Sequence, residues 1–132
     1  MSFNHAVIWL DHQEAHVIHF SPEVSESEVV RTRSRHQHNK RGATAGGKAP
    51  VDESFLHEVI AAAADAKEIL IVGPGSAKLD LMKHVTRHHA ALVDRVVGIE
   101  TVDHPSDGQL LAHARKTFVR IDNLKGDTRI RA

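Results

Sequence analysis

Residues 31–48 read RTRSRHQHNKRGATAGGK and carry Arg31, Arg33, Arg35, Lys40, Arg41 and Lys48, together with His36 and His38, with no acidic residue among them. Phosphate is the natural counterpart of such a run, because guanidinium and ammonium groups neutralise a polyanion's backbone and release its counterions. The segment has no aromatic side chain on which bases could stack. Its chemistry is therefore contact with a charged backbone. A second physical reading is a solvated loop whose arginines keep an edge strand from pairing with another chain.

Three further groups of residues offer chemistry. Asp11 and Glu14 follow the apolar run AVIWL, with Glu58 in a helical pattern farther on; carboxylates so placed could hold divalent metal for phosphodiester cleavage. The next buried-type strand, EILIV, supplies only Glu68, at its wrong end, and Asp is equally a favoured turn residue. Gly73, Gly75 and Ser76 of GPGS join a hydrophobic run to a helical pattern, where free backbone N–H groups and the helix dipole suit an anion. The turn lacks the Lys-Ser/Thr of a phosphate-binding loop, and capping alone accounts for Ser76. His84 and His88, four apart on one helical face, and His36 with His38 form possible chelating pairs without a third ligand at a telling spacing. The sequence thus assigns no metal and no cofactor, and no catalytic triad can be placed.

Composition bounds what these groups can serve. With 132 residues, 41% of them hydrophobic, the chain suits one domain spanning 1–132. Seventeen Lys and Arg balance 17 Asp and Glu, so no global field draws the protein to a polyanion; the basic segment leaves the rest acidic and creates a charged pole. The absence of cysteine excludes disulfides and thiolate zinc sites. Neither a long apolar run nor a basic leader is present, so the expected location is the cytoplasm, without a membrane span. Twelve histidines make the net charge rise below about pH 6.

The elements that must position these groups follow from periodicity. Ala6–Leu10 and Ala15–Phe20 form a hairpin, the first strand apolar on both faces and hence central. A third strand starts near Glu28, with Val30 and Thr32 on one face and Arg31, Arg33 and Arg35 on the other. Residues 35–51 contain no large hydrophobe apart from Val51 and read as a flexible loop. Asp52 caps a helix carrying Phe55, Leu56, Val59, Ile60 and Ala63. A strand over 68–72 follows, then a helix over 77–90 with Leu79, Met82 and Val85 inward, then a second buried-type strand over 95–102. Ser106 and Gln109 have capping-box spacing before a helix presenting Leu110, Leu111, Ala114 and Phe118, and residues 120–132 read as a polar tail. A three-strand antiparallel meander followed by alternating helix and strand specifies an α/β mixed sheet with helices on both faces, the order of the ribonuclease H-like architecture.

On these residues a resemblance becomes specific. HNKRGATAGGKAPVDESFLHEV, then a strand, then GPGSAK opening a helix, resembles the middle domain of the archaeal and eukaryotic class-1 peptide chain release factors. It covers about residues 6–118, and the opening VIWLDHQEAHV with the late VVGIETVDHPSDGQL looks like stand-alone bacterial relatives of that domain. In that family the loop carries a Gly-Gly-Gln tip that enters the peptidyl-transferase centre and helps water attack the peptidyl ester. Here Gly46 and Gly47 are followed by Lys48, a longer, charged residue poorly suited to that role.

The resemblance implies translation as the setting and the ribosome, ribosomal RNA or tRNA as partner, in rescue or termination. The expected function is binding of ribosome or structured RNA through Arg31, Arg33, Arg35, Lys40, Arg41 and Lys48, with Gly46 and Gly47 letting the tip enter a narrow site. Two enzymatic alternatives stand beside it: residual peptidyl-tRNA ester hydrolysis at the tip, and a carboxylate-metal nuclease centred on Asp11. A homo-oligomer, the basic loop meeting a partner's acidic pole, is a further possibility.

Overall fold

The computed structural model describes residues 4–32 and 52–131, with side chains described as far as residue 122. Strands β1 (His5–Leu10), β2 (Glu14–Phe20) and β3 (Ser25–Arg31) form the meander. Helix α1 (Glu53–Ala63), strand β4 (Glu68–Gly73), helix α2 (Ala77–His88), a 3-10 segment (Ala90–Arg95), strand β5 (Val96–Thr101) and helix α3 (Asp107–Arg131) follow. They build an open five-stranded sheet in the order β3-β2-β1-β4-β5. β1 pairs antiparallel with β2 and parallel with β4. The sheet is mixed and ribonuclease H-like, as the element order implies.

Alternation along β1 explains its central place. Ala6, Ile8 and Leu10 face one layer, where Phe55, Leu56, Val59 and Ile60 of α1 and Leu81 and Val85 of α2 pack on them. Val7 and Trp9 face the other, against Leu110, Ala114 and Phe118 of α3. A strand covered on both sides must be apolar at every position, and Ala6 to Leu10 are all buried. Asp52 caps α1, accepting from Phe55 N–H at 3.1 Å. Ser106 and Gln109 exchange the two bonds of a capping box, at 3.0 and 3.2 Å.

Four expectations need correction. β3 begins at Ser25, opposite Phe20, three residues before Glu28; its early residues are polar because this edge strand buries only Val30 and is held by ladder bonds. On α2 the inward stripe is Ala77, Leu81, His84 and Val85, while Leu79 is half-exposed. Met82, partly buried, does pack against the core, as expected, whereas Leu79 lies in a surface groove beside Ile99. β5 is only partly buried, since an edge strand has one neighbour and incomplete cover. The expected polar tail continues α3 to Arg131, where no proline interrupts the helix.

Candidate nucleic-acid interface

β1, β3, β4 and β5 all run in one direction and finish at one end of the sheet, where β2 begins. Parallel sheets bind ligands outside the carboxyl ends of their strands, at the point where strand order reverses. Here that point lies between β1, which leads leftward into β2 and β3, and β4, which leads rightward into β5. Asp11, Glu14, Arg31, Gly73, Gly75 and Ser76 all belong to this end.

The basic segment is rooted there. Arg31 closes β3 and pairs with Glu14, N to O 3.6 Å, with its side chain largely exposed. One residue on, Thr32 N–H donates to the Gln13 carbonyl at 2.9 Å, and Thr32 Oγ1 donates to Asp52 Oδ2 at 2.5 Å. Asp52 is also the cap of α1. The residues on either side of 33–51 are thus bonded directly to each other. Arg33, Arg35, Lys40, Arg41, Gly46, Gly47 and Lys48 lie outside the described residues.

Asp11 serves the turn. Its Oδ1 accepts from the N–H groups of Gln13 and Glu14 at 2.8 and 2.9 Å, and its own N–H donates to the Glu14 carbonyl at 3.0 Å. An oxygen already committed to two donors is a weakened metal ligand. Among the described residues, no three-residue group with ligand atoms within 4.8 Å of one another includes Asp11, Glu14 or Glu58. The trio expected of a nuclease centre is not brought together.

The Gly73–Ser76 turn crosses β1 at close quarters. A Cβ on Gly73 would lie 2.3 Å from the Leu10 carbonyl oxygen, whereas one on Gly75 would meet nothing within 4 Å. Ser76 makes no side-chain cap bond. Lys78, buried on α2, donates instead from Nζ to the Gly75 carbonyl, placing a cation over the turn. His12 of the β1–β2 turn reaches Asp80 in the first turn of α2 at 3.4 Å, joining the two turns.

Sequence reasoning did not find the other half of this end. Trp9 Nε1 donates to the Asp103 carbonyl at 2.6 Å, and its ring lies 4.7 Å from that of His104. His16 bridges Glu14 and Asp107, its ring nitrogens 3.1 and 3.0 Å from their carboxylate oxygens. His104, Pro105, Gln109, Leu110 and His113 line an adjoining shallow pocket. The described surface here is rich in acids, among them Asp11, Glu14, Asp80 and Asp107. The signal for this cluster was tertiary: Trp9 and His16 meet Asp103 and Asp107 only because α3 crosses the sheet.

The sequence matches no family model and no curated protein. Solved structures share the fold. The Pelota protein of Thermoplasma acidophilum superposes with a TM-score of 0.57 at 18% identity, over 79% of this chain and 29% of its own. Dom34 of S. cerevisiae, described as a translation termination-like factor involved in RNA quality control pathways, gives 0.54 at 14% identity over 78% and 29%. The archaeal translation termination factor aRF1 gives 0.52 at 12% identity over 77% and 30%. This chain therefore spans less than a third of each of these longer proteins.

Proposed function

We propose that this domain is a translation-associated factor that binds the ribosome or structured RNA through its basic segment, acting in ribosome rescue or termination in the cytoplasm. The observation that carries this reading is the rooting of that segment. Thr32, just after edge strand β3, and Asp52, the cap of α1, are bonded to each other, so the two described ends of the chain that carries five of the six cations meet at one place in the fold. Sharing that fold with Dom34 and aRF1 supports translation as the setting. Arg31, Arg33, Arg35, Lys40, Arg41 and Lys48 neutralise RNA phosphates, while Gly46 and Gly47 give the backbone room to approach closely.

The protein in this reading is a binding factor. Lys48 occupies the position of the release factors' glutamine, and the departure weighs against ester hydrolysis at the tip. The test is a pair of assays on one preparation: co-sedimentation with ribosomes, and release of peptide from peptidyl-tRNA on programmed ribosomes. The expected outcome is association that Lys40→Ala/Arg41→Ala/Lys48→Ala weakens, with release at background. Release lost in Gly47→Pro would replace binding with catalysis. Absence of association would overturn the reading altogether.

A further inference from the structure

On the face away from α3, where α1 meets the C-terminal end of α2, four imidazoles converge. His57 of α1, His84 and His88 of α2 and His89 just beyond it have ring centroids 4.8 to 6.3 Å apart in neighbouring pairs. Such crowding of potential cations would be costly if the rings served only to solvate the surface. The rings are also held in a particular state. Nδ1 of His84 lies 2.7 Å from Glu53 Oε1, and a carboxylate accepts, so Nδ1 carries a proton and Nε2 is the nitrogen left to meet anything else.

That nitrogen has no partner. His84 is 6% exposed, and Nε2 of both His84 and His89 is buried without a hydrogen bond. Buried polar atoms left unpaired are rare, and each calls for an explanation such as an ion.

We propose that His57, His84 and His89 form a binding site for a divalent transition-metal ion, with zinc the best match. Ligand nitrogens from all three residues lie within 4.8 Å of one another. A point equidistant from three atoms at that spacing is at most about 2.8 Å from each, against about 2.0–2.1 Å for a zinc–imidazole bond. Adjustments of less than about 1 Å close the site, and exposed His57 and partly exposed His89 can supply them around buried His84. Glu53 plays the part that outer carboxylates take in histidine metal sites, fixing tautomer and ring direction. The fourth position belongs to water or to His88, which itself groups with Glu53 and His84. An all-imidazole set favours zinc, copper or nickel and rejects magnesium and calcium. By contrast, in the group of His5, Glu68 and Asp122, Nε2 of His5 is already engaged by Glu68 at 3.1 Å.

The site is independent of the ribosomal reading. The test is zinc titration of the chelator-stripped full chain by calorimetry, with cobalt as a visible-spectrum probe of coordination and magnesium as competitor. The expected result is one zinc per chain, undisturbed by excess magnesium, with cobalt bands of four- or five-coordinate intensity. His57→Ala, a change at an exposed position, should weaken binding at least tenfold without loss of fold by circular dichroism. Glu53→Gln should weaken it roughly 10- to 100-fold, and His36→Ala/His38→Ala should leave it unchanged. Wild-type protein without a saturable site, or His57→Ala and Glu53→Gln both binding like wild type, would overturn the proposal.

Discussion

Thr32 Oγ1 donates a 2.5 Å hydrogen bond to Asp52 Oδ2 across twenty residues of sequence. The same carboxylate's other oxygen accepts from Phe55 N–H at 3.1 Å and from Ser54 Oγ at 3.0 Å. One side chain therefore starts α1 and clasps both ends of the cationic segment. Asp52→Ala removes cap and clasp together and is expected to cost about 1–2 kcal/mol in urea unfolding. Asp52→Asn retains the capping oxygen and should cost less. Equal losses in the two variants would show that the charged clasp, not the cap, dominates.

Gly73 and Gly75 should respond in opposite ways to alanine. At Gly73 the new methyl group meets the backbone oxygen of Leu10 at 2.3 Å. Backbone on both sides cannot swing away, so β1 and β4 must part at their ends, and Gly73→Ala should destabilise by about 1–3 kcal/mol. At Gly75 there is open space, and Gly75→Ala should be neutral or stabilising by up to about 1 kcal/mol through the unfolded chain. Thermal unfolding of both variants decides it. A harmless Gly73→Ala would contradict the close crossing.

Arg31 separates stability from binding. Its pair with Glu14 is long, at 3.6 Å, and largely exposed, so Arg31→Ala should change unfolding free energy by less than about 0.5 kcal/mol. The same substitution removes one phosphate contact in the proposed interface. It should lower the salt dependence of RNA association by roughly one ion. Filter binding over a salt series reads this; an unchanged slope would place Arg31 outside the contact.

Much of the fold was legible because local and global demands agree. Asp52, Ser106 and Gln109 announce their helices through short-range bonds, and β1 announces its central place by being apolar on both faces. Where two local solutions compete, the sequence misleads. α2 carries apolar residues on more than one face, and packing against the sheet and α1 buries Leu81 and Val85 while leaving Leu79 half-exposed. β5 is as apolar as an inner strand, yet among the described residues it lies at the edge of the sheet, with β4 as its neighbour. The histidine cluster was legible only in part. His84 and His88 stand at helical spacing, but His57 comes from α1 and His89 from beyond the helix, and only packing unites them. Asp11 looked catalytic by position, whereas its bonds to Gln13 and Glu14 make it a turn residue.

The most direct measurement of the central claim is co-sedimentation with ribosomes across a salt series, comparing wild type with Lys40→Ala/Arg41→Ala/Lys48→Ala. If all six cations of residues 31–48 meet phosphates, the logarithm of affinity should fall with the logarithm of salt at a slope of about 4–5, and at about 2–3 in the variant. Wild type left in the supernatant at low salt, or a variant that binds with the same slope, would contradict a ribosome-binding role for this segment.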